Sequence, residues 1–469
     1  QEWADFLARV KAGEIVPEDG RFLHDVVAVA HRQRKQSKLL KALKQSDNEE
    51  NAHQLLLRLG YWDEFHNPYP ARAGLPSTQP SAPLPDLPDE PRRDLTHLEA
   101  FAIDDAGSTD PDDAISWDNG RIWIHIADVA ALVPPDSYAD FEARARGANS
   151  YLPEGVITML PAKATAVLGL GLTEISPALS FCLTLNDAGE ITDTEITTSW
   201  VKVTRISYEE ADSRLDESPL REMVAVAKTY EMRRLENGAV KIELPEVKVK
   251  VKDGRVVIRP LPNRPSRNLV RDAMLMTGEA VARFAFENNI PLPYTIQEAP
   301  AEELPEASTP SEYFALRRRM TPSQQRSQPG AHFGLGMGLY AQSTSPLRRY
   351  LDMVVHQQLR AYLRGDELMD TQAVMERVGA ADAISRDVRW VERQSVRQWT
   401  LVYLMQNPDW MGEGIVVDRR GKRDVVLFPE LALETRIFNK KASELDSLIL
   451  LKVQSVNLPQ LDSKFQAVD

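Results

Sequence analysis

The sequence predicts a multidomain α+β protein, and three changes of pattern along the chain carry that reading. Residues 1–66 break into short helix-length segments separated by stop signals. From about 94 to 406, strand-like alternation gives way to long amphipathic stretches, as expected of a mixed sheet with helices segregated against it. From about 407 the chain returns to short apolar runs around tight turns, the rhythm of a small β-barrel.

The elements follow in order. Helical segments are expected around 20–31, around 36–45 and over Asn48–Leu59, stopped by Gly60. Lys38, Lys41 and Lys44 fall on roughly one side, so residues 1–66 read either as a helix-turn-helix-like nucleic-acid-binding module or as a plain helical cap. Residues 67–93 hold eight prolines and no periodicity, which makes them a linker or an extended strap. Leu98–Ile103 and Ile115–Ile126 read as strands, the second folded about Asn119-Gly120, a type I′ hairpin signal. A helix is expected over 137–148 and helical structure over 207–237, before a second hairpin about Asp253-Gly254. Helices then follow over 265–289, 311–320, 346–364 and 371–406, closing a domain that spans 94–406. In 407–469, Gly412–Val417, a basic turn at 419–423, Val425–Phe428 and Leu448–Val456 fit an oligonucleotide-binding type of barrel.

Composition narrows the class. The chain is 43% hydrophobic and 27% charged, and no apolar run approaches the ~18 residues of a membrane span. Its first residues are charged throughout, unlike a signal peptide. One cysteine, Cys182, excludes an internal disulfide and argues against zinc or iron–sulfur chemistry, so a cytoplasmic monomer with no disulfide partner is the expectation. Net charge is −13, the wrong sign for a nucleic-acid binder overall. Positive charge is nevertheless concentrated at 31–44, 317–326, 348–349 and 419–423. Such clusters form either solvated faces or a basic channel inside an acidic shell.

Chemistry concentrates in 98–126. Asp104, Asp110, Asp112 and Asp113 place four carboxylates within ten residues, with Asp105 beside them, and Gly107 and Pro111 mark the segment as a loop. Such a cluster persists when it is solvated, paired with cations or wrapped around a metal. It is not an EF-hand, because Ile115 stands where that loop needs glycine. What remains is a solvated turn or a hard-cation site of the kind that holds one or two Mg²⁺ or Mn²⁺ ions for phosphoryl chemistry.

A second constellation lies in 332–360. The glycines 334, 336 and 338 do not make a dinucleotide loop, since Leu339 stands at the third glycine position. Thr344-Ser345-Pro346 predicts a helix start with Ser345 as N-cap and Pro346 in the first turn. Arg348, Asp352 and His356 would then share one face, either as a phosphate-facing set or as a surface ion pair.

Together these stretches resemble the RNase II/RNase R family of 3′→5′ exoribonucleases. The aspartate spacings of +6, +8 and +9 from Asp104 agree, the family's TSPIRRYxDxxxH signature appears over Thr344–His356 with Leu347 for Ile, and Tyr151-Leu152-Pro153 and Glu392-Arg393 match further pieces. The resemblance implies that Asp104, Asp110, Asp112 and Asp113 bind Mg²⁺, with Mn²⁺ as a substitute, for in-line attack of water on the terminal phosphodiester, and that Asp112 is the least replaceable. It implies that Tyr151 stacks on a base near the 3′ end, that Arg348 neutralises the scissile phosphate, that Glu392 holds the terminal nucleotide, and that Thr344 and Ser345 line the RNA path. The partner would be single-stranded RNA, selected over DNA through its 2′-hydroxyls. Two departures stand out: helices and a proline-rich segment replace the family's cold-shock barrels, and no aromatic occupies the hairpin near Val249. An RNA-binding adaptor and a DNA-binding regulator built on the N-terminal helices are the other classes considered. An uncharged residue in the aspartate set would favour the adaptor, and there is none.

Overall fold

The computed structural model describes residues 1–439 and 441–468. Four helices form the N-terminal module: Glu2–Ala12, Gly20–Ala30, Lys38–Ala42 and Glu49–Arg58. The first lay outside the segments read from sequence. It buries Phe6 and Val10 against Leu23, Val26, Leu39 and Leu55. Local capping sets the other boundaries. Ser37 Oγ accepts from Leu39 N–H and Leu40 N–H, and Asn48 Oδ1 accepts from Asn51 N–H at 2.8 Å.

The proline-rich segment is a strap laid along the next domain. Tyr69 is buried against Trp390, and Ala82, Leu84 and Leu87 pack on the domain core. Its far end is locked where Arg92 and Arg360, both nearly sequestered from solvent, share Glu90 and Asp128. Desolvated charges of this kind are offset by the opposite charges they share.

The central domain is built on a seven-stranded mixed sheet. Across it run Arg93–Asp94, Ile191–Val201, Ser176–Leu185, Arg121–Ala127, Asp113–Asp118, Ala100–Asp104 and Val203–Ser207. The two outermost pairings are parallel and the rest antiparallel. Alternation along each strand builds two cores. Ile115, Ile122, Ile124, Ile126 and Phe181 face helices Leu220–Glu236 and Pro265–Glu287, whereas Ala114, Trp123 and Cys182 face the opposite layer with Met353 and Val354 of helix Tyr350–Arg364. Asn119 and Gly120 take φ of 48° and 83°, and Asp253 and Gly254 take 50° and 71°, so both hairpins turn as their dipeptides required.

Two expectations need correction. The helical stretch 207–237 is two helices, Tyr208–Asp212 and Leu220–Glu236, separated by turns over 213–219, with Pro219 directly before the second. More consequential is the stretch after Ser345: residues 346–348 form a turn and the helix begins only at Tyr350. Arg349 bridges to Ala148 in antiparallel fashion, and Asn149 N–H donates to Arg348 O at 2.9 Å. That extended pairing keeps 348–349 out of the helix.

The last domain is a five-stranded antiparallel sheet, in spatial order Leu433–Phe438, Arg423–Phe428, Met411–Arg420, Leu448–Asn457, Asp462–Ala467, consistent with an oligonucleotide-binding-like barrel. Helix Pro310–Arg319 pins it through Arg317–Glu434 (2.6 Å) and Arg318–Asp418 (2.7 Å). Among the described residues no helix is long and apolar enough to cross a membrane.

Candidate active site

A cavity of about 860 Å³ opens where the acid loop, the turn before helix Tyr350–Arg364 and hairpin Val247–Pro260 meet. Strand order puts the acids there. Asp104 ends one central strand, Asp113 begins its neighbour, and the loop between them turns through Gly107 at φ +80°. Asp112 is tied to the sheet by its own carbonyl, which accepts from Ala127 N–H at 2.8 Å. All four aspartates line the cavity, together with Tyr151, Thr344, Ser345 and Arg348.

Asp112 is the best-fixed of the set. Its Oδ1 accepts from Leu347 N–H at 2.8 Å, and its Oδ2 lies 3.2 Å from Arg348 Nε. Burial pushes its carboxyl up to about 8 against the pull of Arg348 and the Leu347 amide, and Asp113 adds to the rise. Asp113 is pushed up to about 7 by burial, opposed by Arg348 and reinforced by Asp104. Arg348 also donates to Ser345 Oγ at 2.8 Å; burial works against its charge, yet Asp112, Tyr151 and Asp113 hold it more firmly protonated.

This arrangement overturns the one-face reading of Arg348, Asp352 and His356. Arg348 precedes the helix and pairs with Asp112, while Asp352 accepts from Ser345 N–H (2.9 Å) and Arg349 (2.6 Å). His356 is fully buried, with Nε2 at 2.6 Å from Ser343 O. Ser345 is therefore no N-cap. Its hydroxyl steadies Arg348, and its amide is held by a residue in the first turn of the following helix.

Tyr151 stands on the short hairpin Ser150–Leu152/Gly155–Ile157. Its hydroxyl donates to Asp110 Oδ2, and its N–H donates to Glu392 Oε1 at 2.8 Å. Burial first, then the Asp110 charge, raises the phenol, so the ring is neutral. Glu392 projects from the long helix Thr371–Gln406 and stands behind Tyr151; burial raises its carboxyl, against the Tyr151 amide and nearby arginines.

Sequence reading missed three participants, Asn149, Lys248 and Arg267. Asn149 Nδ2 reaches both Asp110 Oδ2 and Tyr151 Oη at 3.3 Å, and its backbone pairs with Arg348, so it joins loop, clamp and arginine. Its place two residues before Tyr151 is the signal that could have found it. Asp105 turns away from the other acids to Arg267 and to Lys248 (2.8 Å); burial opposes its charge, but these two cations hold it below the usual carboxylate range. Lys248 and Arg267 come from a hairpin and a helix more than a hundred residues downstream, and nothing local marks them.

The donor set is all oxygen and partly uncompensated, which suits a hard divalent cation. Among the described residues, no three His, Cys, Asp or Glu side chains are gathered closely enough to hold an ion as they stand. Asp110 and Asp112 engage Tyr151 and Arg348 instead.

Comparison with known proteins places this geometry in context. A family model described as an RNB domain matches residues 92–311 and 306–365, and one described as a double HTH domain matches 1–68. The chain is 34% identical over 477 residues to an uncharacterized ribonuclease of Synechocystis, covering 92% of this chain and 72% of that protein. It spans only about half the length of other curated relatives, which include ribonuclease II of Arabidopsis thaliana and ribonuclease R of Chlamydia pneumoniae. The fold is similar to that of the Dss1 exoribonuclease of Candida glabrata, with a TM-score of 0.81 at 18% identity over 99% of this chain and 72% of that one. It is also similar to Mycoplasma genitalium RNase R in complex with ribose-methylated single-stranded RNA, with a TM-score of 0.71 at 17% identity, covering 90% and 79% of the two chains.

Proposed function

Because this chain belongs to the RNB-domain family of ribonucleases, we propose that it is a Mg²⁺-dependent 3′→5′ exoribonuclease. It would digest single-stranded RNA processively to 5′-mononucleotides and a short end product. The observation that carries the proposal is the meeting, in one cavity, of four aspartates, an arginine and an aromatic clamp drawn from segments more than two hundred residues apart. Divalent cations held by Asp104, Asp110, Asp112 and Asp113 would activate water and offset charge on the leaving 3′-oxygen.

The chain's own residues do the positioning. Arg348, already firmly protonated, faces the scissile phosphate and exchanges part of its attraction to Asp112 for the substrate's charge. Tyr151 offers its ring to the base near the 3′ end, and Glu392, which is not among the residues lining the cavity, keeps that ring's backbone in place. Thr344 and Ser345 line the path, and Lys248 and Lys250 supply positive charge along it. The N-terminal module would add a second nucleic-acid contact through Lys38, Lys41 and Lys44.

The alternative reading is a non-cleaving RNA-binding adaptor; among the described residues no three acids converge as they stand. A single assay separates the two readings. With 5′-labelled single-stranded RNA, Mg²⁺-dependent descent to very short 5′ fragments is expected for the wild type, lost with EDTA or in Asp112→Asn. Tight binding without cleavage at any Mg²⁺ or Mn²⁺ concentration would refute the nuclease. Equal digestion of DNA would refute selection through the 2′-hydroxyl.

A further inference from the structure

The hairpin that presents Tyr151 has no core of its own. Its strands are three residues each, and Tyr151 and Val156 remain 38% and 39% exposed. An isolated two-stranded hairpin of this size is marginal in water. What fixes it comes from outside and is largely polar. At the turn, one Glu154 carboxylate oxygen accepts from Asn67 Nδ2 at 2.6 Å and the other from Trp399 Nε1 at 2.5 Å. Asn67 also donates to Ser395 Oγ at 2.8 Å, so strap, turn and long helix meet at one point. On the outer strand, Gln79 of the strap donates to Val156 O at 2.8 Å and accepts from Thr158 N–H at 3.0 Å, completing the open edge much as another strand would.

We propose that Glu154 and Gln79 are positioning residues for Tyr151, and that the strap sets where the aromatic ring stands over the acid loop. The inference rests on the reading of Tyr151 as the clamp on the 3′-terminal base. Beyond its pairing with Val156, Tyr151 is tethered among the described residues through its hydroxyl to Asp110 and Asn149 and through its amide to Glu392. These bonds fix two ends of the residue, not the plane in which the strand lies. Glu154 and Gln79 fix that plane from the turn and from the far edge, beside the backbone bond from Val251 N–H to Pro153 O at 2.9 Å. Loss of Glu154 also leaves the indole N–H of Trp399, a residue only 2% exposed, without its acceptor. Stacking needs the ring face aligned with the base, so a tilted strand keeps Tyr151 present but misdirected.

The test uses the full chain carrying Asp112→Asn, in EDTA, with single-stranded RNA bearing 2-aminopurine at its 3′ end. Quenching of that base reads stacking without cleavage, and Tyr151→Ala provides the unstacked reference. Glu154→Ala and Gln79→Ala are each expected to lose most of the quenching that Tyr151→Ala loses. In the cleaving background each is expected to raise KM about fivefold, with a smaller change in kcat, and to lengthen the final fragment. Glu154→Gln keeps an acceptor at the turn and is expected to restore much of both readouts, a rescue that general loosening of the fold would not give. Unchanged quenching, KM and final fragment in both alanine variants, with Tyr151→Ala still showing its loss, would overturn the positioning role alone. Unchanged quenching in Tyr151→Ala itself would overturn the clamp reading, and this inference with it.

Discussion

In the metal-free chain Asp113 is a liability, and Asp113→Asn is the substitution that reveals it. The side chain sits beside Asp112 and Asp104 with no hydrogen-bond partner among the described residues, and burial with the Asp104 charge lifts its carboxyl from 3.8 to about 7. A carboxyl raised on folding is protonated longer in the native state. Stability is therefore fullest below the unfolded value, falls as pH rises between the two values, and is flat and lower above about 7. At ~1.4 kcal/mol per decade the full displacement corresponds to about 4 kcal/mol. Asp113 lines the open cavity and is only partly buried, so about 1–2 kcal/mol is the expected penalty at pH 8. Asparagine has nearly the same shape and no charge to desolvate. In EDTA at pH 8, Asp113→Asn is expected to melt a few degrees above the wild type, with the gain shrinking to less than half at pH 5. Differential scanning fluorimetry at both pH values checks this, with the RNA assay run in parallel to record lost cleavage. Mg²⁺ is expected to stabilise the wild type more than the variant. A variant no more stable than wild type at pH 8, or equally stabilised at pH 5, would refute the argument that the acid cluster is uncompensated.

Other substitutions probe single links. Arg348→Ala removes the cation beside Asp112 and is expected to lower kcat about 10²–10³-fold, the range for deleting one electrostatic stabiliser, as measured by single-turnover release of mononucleotide. Tyr151→Ala is expected to weaken affinity for short RNAs by roughly 10-fold or more, from ~1–3 kcal/mol of lost stacking, and to leave longer final fragments on a sequencing gel. Replacing Lys38, Lys41 and Lys44 together by glutamate is expected to weaken binding of long RNA and reduce its salt dependence, at about 0.7 in the log–log slope for each phosphate no longer neutralised, as read by fluorescence anisotropy between low and physiological salt. Unchanged slope and affinity would assign the basic face to solvent.

Much of this site was legible because its signals are local. The aspartate spacing lies within one loop, and its flanking strands are marked by alternation and by Asn119-Gly120, whose positive φ values only such a dipeptide adopts easily. Helix Pro265–Glu287 was readable from one amphipathic run. The start of helix Tyr350–Arg364 was misread for a physical reason. Thr344-Ser345-Pro346 carries every local capping signal, but the backbone of 348–349 is claimed by Ala148 and Asn149, and that tertiary pairing outweighs propensity. The same pairing moves Arg348 from the helix face to Asp112. Lys248 and Arg267 were invisible because their roles depend on which distant segments the sheet brings together. The strap was visible only as a run of prolines; its hydrogen bonds to Thr158 and Val156 run through Gln79, which nothing in the sequence distinguishes from a solvated glutamine.

The acidic balance of the chain and its fit to a polyanion are reconciled by where charge sits. Net charge is −13, yet the cavity that holds the acid loop also gathers Lys248, Lys250, Arg271, Arg348 and Arg349. At a Debye length of about 8 Å in physiological salt, RNA entering the cavity as proposed would respond to the lining charges, acids and bases alike, while carboxylates on the outer surface would be largely screened from it. Asp105 shows how the opposing charges are kept apart. It turns out of the aspartate cluster to pair with Lys248 and Arg267, holding two cations beside the acids without neutralising the acids themselves. The loop thus keeps Asp104, Asp110, Asp112 and Asp113 together, with Lys248 and Arg267 held beside them by Asp105. This division is what the proposed use of divalent cations and an RNA substrate in one cavity would require.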